Sequence, residues 1–370
     1  MSVFYKLFIL LVFASLFSCR DGGNFDAGSP EKAVQIAGGL VHMCALLDQE
    51  HVFCWGENNE NQLSLNKATN AGGEIYDLKN EKVSQISAGT YHTCGLFKGG
   101  DKDGLPFCFG KSGPWLKVPN KKMHAVYAAY DLTCFLDVED HLDCVGKPMP
   151  RLGPGSTIDP ALLVKNYGID PISGKGGQDF SAKQFKNIKF DENWAALCAQ
   201  EISSEKIYCM GQENYPGVQA INKVNARDFY IGGQSKGYID AASQKLDFVG
   251  ASFGFQPADN LAKPRDLKYK AIIAPTASYG NRGFIVAKGN LYDDLTPIPE
   301  GAIIIPGAPK TLVFEDASSI VLGLGSTKAA GNYYYCLLKN NGKVGCKYFE
   351  QGAEVPTNAL VKNLPKSLRV

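Results

Sequence analysis

Ten of the eleven cysteines fall into neighbouring pairs: Cys44 and Cys54, Cys94 and Cys108, Cys134 and Cys144, Cys198 and Cys209, Cys336 and Cys346. Oxidation to disulfides is the chemistry this spacing offers, and such usage belongs to an oxidising compartment. Zinc is the rival, but the chain has no Cys-x-x-Cys pair and no Cys/His set at finger spacing. Other candidate chemistry is weaker. Gly250, Ala251, Ser252, Phe253 and Gly254 spell the G-x-S-x-G of a nucleophile elbow, which needs a strand, a sharp turn and a helix, with an acid and a histidine later in the chain. Here Pro257 follows, and the last histidine is His141. His42 and His92 each precede a cysteine by two residues. The equivalent positions elsewhere hold Leu132, Ala196, Lys236 and Tyr334, so no ring of imidazoles forms. A buried histidine hydrogen-bonded to backbone is expected instead. Asp101 to Gly104 lacks the later ligands of a calcium loop, and the run from Gly323 has neither spacing of a phosphate loop. No catalytic residue, metal site or cofactor is expected, and the chain reads as not an enzyme.

The elements that carry the cysteines are hairpins. From Met43 to Leu47 and from Val52 to Trp55 two apolar runs flank a polar turn. If Asp48, Gln49 and Glu50 close the turn, Leu47 faces His51, and stepping outward in twos brings Cys44 opposite Cys54, within cross-strand bonding distance. The line Ile36 to Leu63 recurs in degraded form, beginning at Ile86, Tyr127, Phe190, Ile231, Gly283 and Ala329. Sequence alone does not fix cysteine connectivity, but the repeat register selects the adjacent pairs, since each pair occupies the same two positions of one hairpin. In the fifth copy, setting Gly232 and Gly233 on Gly38 and Gly39 places Tyr238 and Phe248 where cysteines would stand. The sixth copy is read as a hairpin from Gly283 to Asp294 with a Lys-Gly-Asn turn. Seven units of about fifty residues, rich in strands and turns, indicate a propeller or a β-solenoid, and hairpin content favours the propeller.

The pattern G-x-x-H-x-C-x-L, a turn, then V-x-C-W-G-x-N-x-x-x-Q-L, running from Gly39 to Leu63, resembles the repeat of the regulator of chromosome condensation family. The resemblance implies an all-β, seven-bladed β-propeller over residues 31–370, here with intra-blade disulfide-linked hairpins. Nuclear members of that family act as nucleotide exchange factors and bind chromatin. That role is not expected here, because the first thirty residues read as an export signal. Lys6 precedes an apolar run from Leu7 to Phe17, too short for a membrane span. The quartet Leu16, Phe17, Ser18, Cys19 resembles the lipobox of bacterial lipoproteins, with Phe17 larger than usual. Residues 1–18 would be the signal, Cys19 the lipidated residue and residues 19–30 a flexible tether. Arg20 after the cysteine favours the outer membrane by the sorting habit of enteric bacteria. Cys19 also accounts for the odd cysteine.

Thirty-eight basic residues balance 37 acidic ones. Loss of Lys6 with the signal makes the mature chain neutral, which gives no electrostatic footprint for nucleic acid and no attraction to anionic lipid. Membrane contact would come through the N-terminal lipid alone. The insertion 147–183 between the third and fourth repeats is the longest connection, and long loops in compact domains are often functional. Arg151, Leu163, Lys165 and Tyr167 within it, and Trp115 among the other loops, are the candidate binding residues. Asp159 introduces a helix-capable piece from Pro160 to Tyr167. The expected function is a monomeric, non-catalytic binding propeller at the bacterial envelope, facing an envelope or extracellular protein or a glycan. The alternatives are an envelope hydrolase with two carboxylates at the central channel, or a structural subunit of an outer-membrane assembly.

Overall fold

The computed structural model describes residues 31–64, 73–75, 78, 80–111, 117–147, 149–150, 157–191, 196–211, 226–232, 235–250, 268–273, 284–288, 303–305, 312–314, 316–324, 333–350, 353–354 and 368–369. Among them are seven antiparallel sheets of three or four strands and one two-stranded ribbon. The first sheet takes Ala33–Gly38, His42–Leu47, Val52–Gly56 and Gly73–Glu74. Its pattern repeats in the second (Lys82–Ala88, His92–Lys98, Pro106–Gly110) and the third (Met123–Ala129, Leu132–Asp137, Leu142–Gly146). The fourth has Phe185–Asp191, Ala196–Glu201 and Ile207–Gly211, and the fifth Ala226–Gly232, Ser235–Asp240 and Leu246–Gly250. The sixth spans Lys268–Ile273 to Leu312–Phe314, and the seventh Ala317–Leu324 to Ala353–Glu354. In all seven the first strand carries a register shift near its start, as between Ala33 and Gln35 or Val83 and Gln85.

The middle strand of the first sheet is buried along its whole length, because both faces are covered. Met43, Ala45 and Leu47 pack on the seventh sheet with Val321, Tyr334, Cys336 and Leu338. Cys44 and Leu46, pointing the other way, pack on Val83, Ile86 and Ala88 of the second sheet. Strands buried on two faces read as continuous apolar runs, which explains the unbroken Met43 to Leu47. The contact between the first and last sheets closes the ring, and the tail joins it through buried Leu368.

Glutamines stitch neighbouring first strands, which are not ladder partners. The Gln35 carboxamide donates to the Ile86 carbonyl at 2.9 Å and accepts from the Ile86 amide at 3.0 Å, replacing a backbone group. Gln85 accepts from the Val126 amide at 2.9 Å. At the opposite end of the hairpins, the tip carbonyls of Glu50, Gly104, Asp140 and Gly342 accept from the amides of Val83, Met123, Phe185 and Ala33. Each of these links one sheet to the next, and the last links the seventh to the first. The tip residue is left-handed in every described case, with φ from 58° at Glu205 and Gln244 to 81° at Gly342.

The five disulfides join the expected pairs, each across one hairpin. Cys44 faces Cys54 in register, and the Leu47 amide bonds the His51 carbonyl as the three-residue turn requires. In the fifth sheet the expected register is off by one: Gly237 pairs with Phe248, and Tyr238 with Asp247. The glycine therefore holds the cysteine position, because Ser235, not Lys236, opens the strand against Gly250. In the sixth sheet, Phe284–Lys288 pairs with Ile303–Ile305, beyond the expected Gly283 to Asp294 hairpin, and Leu312–Phe314 adds a further strand. Three-residue strands between proline and glycine are too short for a periodic signal. The second half of the expected Gly283 to Asp294 hairpin lies outside the described residues.

Candidate functional site

The insertion is a wedge, not a free loop. Asp159 caps a turn by accepting from the Ala161 amide at 3.0 Å, followed by Pro160–Leu162 and the helical turn Leu163–Asn166. Gly168–Ile169 then adds a strand to the edge of the fourth sheet. Ile158, Leu163, Val164 and Phe180 are buried in one cluster with Leu132, Leu136 and Leu142 of the third sheet and Phe185, Leu197 and Met210 of the fourth. Leu163, at 0% exposure, is therefore core and is withdrawn as a contact residue. Tyr167 is half-buried against the same cluster, and its carbonyl accepts from the Gly211 amide. Lys165 is exposed. Arg151, Trp115 and Cys19 lie outside the described residues, as do the residues after Gly250 in the G-x-S-x-G run. The acidic stretch at Asp101 forms a single 3-10 turn, Gly100–Lys102, with the Asp103 carboxylate accepting from the Gly99 amide.

The repeat motif acquires a physical meaning at the sheet interfaces. His42 Nε2 lies 2.8 Å from Thr93 Oγ1, and His92 Nε2 lies 2.7 Å from Thr133 Oγ1. The histidines are buried as expected, but the partner is a hydroxyl of the next sheet and not backbone. The residue before each cysteine thus faces the histidine position of the preceding sheet. Where that position is Leu132, the facing residue is Leu197, an apolar pair. In the seventh sheet Tyr334 takes the histidine position, and its hydroxyl donates to the carbonyl of Gly39, closing the ring with a different polar contact. Burial lowers the His42 pKa to about 3, with a smaller push from His92, and lowers that of His92 to about 4. Both imidazoles are neutral, structural groups. Gly39 is required because a Cβ there would come within 2.2 Å of the His42 ring and 2.4 Å of the Gly89 carbonyl. The glycine closing C-x-G is left-handed, with φ of 112° at Gly56 and 115° at Gly110. The Asn58 side chain accepts from the Leu63 amide and Gln62 from that of Glu60, a fold that drives Leu63 into the core between the first two sheets.

These motifs build a platform at the end of the strands opposite the hairpin tips. The turns after the first strands of sheets one to three are chained by backbone bonds, Leu40 amide to Thr90 carbonyl at 3.1 Å and Thr90 amide to Tyr130 carbonyl at 2.8 Å. The chain leaving each third strand is tied to them, with amides of Glu57, Lys111 and Lys147 bonding carbonyls of Val41, Tyr91 and Asp131. Tyr130 is 47% exposed and sits at φ 50°. Tyr91 packs on buried Leu40 and Val41. Burial raises its hydroxyl pKa, reinforced by Glu57, Glu60, Asp131 and Tyr130. Lys111 Nζ stands 5.2 Å from the centre of the Tyr91 ring and 3.9 Å from Glu60. Burial raises the Glu57 carboxyl. The platform offers aromatic faces and carboxylates on a fixed backbone, which suits recognition.

Comparison with known proteins bears on these motifs. Matches to the Regulator of chromosome condensation (RCC1) repeat cover residues 33–62 and 49–96. Residues 33–96 thus carry repeats of the regulator of chromosome condensation type. The residues that define the repeat are those that build the first two sheet interfaces and the platform turns. Over 182 residues the chain is 23% identical to "Probable E3 ubiquitin-protein ligase HERC4" of Rattus norvegicus and of Mus musculus, a match spanning 48% of this chain and 16% of each relative. The structure of human WBSCR16 is similar in fold, with a TM-score of 0.50 at 11% identity, covering 80% of this chain and 86% of that one. Yeast RCC1 (Prp20), solved bound to Kap60, covers 88% of this chain and 74% of that one, at 16% identity and a TM-score of 0.45. The fold is an all-β propeller with disulfide-linked hairpins.

Proposed function

We propose that the chain is a non-catalytic binding protein, a seven-bladed propeller tethered to the bacterial envelope by a lipid on Cys19, which meets a protein partner through loops at one end of its blades. The observation that carries this reading is the platform of sheets one to three: loop backbones locked to one another and presenting an exposed tyrosine among carboxylates. Recognition residues concentrate on loops held by a rigid scaffold, and five disulfides supply the rigidity. A balanced charge of 38 basic to 37 acidic residues favours a protein partner over nucleic acid. The apolar run from Leu7 to Phe17, with Cys19 two residues on, supports export and anchoring.

Two measurements test it. Cys19→Ala should move the protein from the membrane to the soluble fraction, and continued need for detergent would refute lipid anchoring. Immobilised lipid-free protein should capture a defined envelope protein in stoichiometric amount. A chain that captures none, or that turns over an envelope glycan or peptide, would overturn the binding reading.

A further inference from the structure

We propose that the platform of the first three sheets receives an arginine or lysine side chain of the partner protein, seated between Tyr91 and Tyr130 and facing the carboxylates of Glu57 and Asp131. This rests on the protein-binding reading above and adds the face and the chemistry of the partner.

The two ends of the blades differ in how their charges are arranged. At the tips, carboxylates are matched to lysines of the same or the next sheet. Glu50 takes Lys82 and Lys98, Glu81 takes Lys102, Asp137 takes Lys121, Glu201 takes Lys183 and Glu205 takes Lys186, all within 3.1 Å. Five carboxylates at that end thus each have a lysine of this chain beside them. On the platform, the ion pair among described residues is Lys111 with Glu60, at 3.9 Å. Among those residues, no cation lies within ion-pair distance of Glu57 or Asp131. A half-buried carboxylate lacking a cation is costly, and a partner's cation relieves that cost on binding.

The aromatic part is independent of the charges. Tyr130 leaves nearly half its surface in water, although a residue at φ 50° is strained. Tyr91 follows Thr90, whose amide bonds the Tyr130 carbonyl, and its ring already carries a cation, Lys111, at 5.2 Å. An ammonium or guanidinium within about 6 Å of an aromatic centre is attracted by the ring quadrupole, so the chain's own lysine demonstrates the contact on one side. Tyrosine faces flanked by carboxylates fit a cationic side chain better than a neutral sugar or an anion. The backbone bonds that chain Leu40, Thr90 and Tyr130 hold the groups in place, so little order is lost on binding.

The test uses the full-length Cys19→Ala chain and a synthetic peptide alternating arginine and glycine, set against the same peptide with neutral citrulline for arginine. Calorimetry should show binding of the arginine peptide that weakens with rising salt, and none of the citrulline peptide. Tyr130→Ala and Glu57→Gln should each weaken it by about fivefold, whereas Tyr130→Phe and the distant Ile172→Ala should bind as wild type. Peptide mapping of the five disulfides confirms folding of each variant, and Asp131→Asn provides a further probe of the charge. Equal binding of the two peptides, no binding of the arginine peptide, or wild-type binding by both Tyr130→Ala and Glu57→Gln would overturn the proposal. If wild type and Tyr130→Ala capture the same envelope protein equally, this inference fails and protein binding stands. If wild type captures none, the underlying reading fails.

Discussion

Replacing Leu163 with alanine removes a side chain at 0% exposure from the cluster that joins the third and fourth sheets. Leucine-to-alanine changes in such places cost about 2–5 kcal/mol, the lost transfer energy plus the cavity left behind. Leu163 is met by side chains from two sheets as well as by its own insertion, so collapse around the gap is hindered and about 3 kcal/mol or more is expected. The neighbouring Leu162 is 40% exposed, and Leu162→Ala should stay within about 0.5 kcal/mol. Urea unfolding followed by fluorescence, with disulfides intact, compares the two in one background. A fall in the midpoint at unchanged slope for Leu163→Ala alone is the expected result. Equal midpoints for the two variants would show that the insertion is a solvated loop and that the wedge between sheets three and four is wrong. By the same reasoning, replacing residues 149–181 with a short Gly/Ser bridge should destabilise the ring and not merely trim its surface.

Other outcomes follow from the interfaces and tips. Changing Cys198 and Cys209 together to serine opens a loop of separation 11, and loop-closure entropy sets the loss at about 3 kcal/mol, read from chemical denaturation. His42 and His92 hold pKa values of about 3 and about 4, below the unfolded value of 6.5. The unfolded chain therefore binds more protons as pH falls below 6.5, so stability is full above that pH and is lost towards pH 3–4, by up to about 1.4 kcal/mol per unit for each histidine. Melting temperatures across that range should fall in wild type and fall less in His92→Asn. Gln244 adopts φ 58° at a hairpin tip, and Gln244→Gly should stabilise by about 0.5 kcal/mol, since relief of left-handed strain exceeds the added chain entropy. A lowered denaturation midpoint in that variant would count against the tip geometry.

Some of this architecture was legible in the sequence because a hairpin carries its own ruler. Cys44, Cys54 and a three-residue turn fix a register with no long-range knowledge, and the same spacing recurs at Cys134 and Cys336. The partner of His42 was not legible, since Thr93 is about fifty residues away and belongs to the next sheet. A signal existed: where the histidine position turns apolar, at Leu132, the residue before the next cysteine, Leu197, turns apolar too. The fifth sheet slipped by one because the Gly232–Gly233 pair admits two alignments once the cysteines are gone. The insertion was misread because its buried residues, Ile158, Leu163, Val164, Ile169 and Phe180, follow neither period while its prolines and glycines look like a loop. The platform was missed as a site because Glu57, Tyr91, Tyr130 and Asp131 come from three repeats and share no motif.

Hydrogen exchange of the chain alone and in complex with the envelope protein it captures bears most directly on the claim that this propeller binds through its platform. Slowed exchange concentrated at residues 57–60, 89–91 and 130–131, with the tips at residues 48–50, 138–140 and 202–205 unchanged, is the predicted result. Slowed exchange at the tips with the platform unchanged would contradict it.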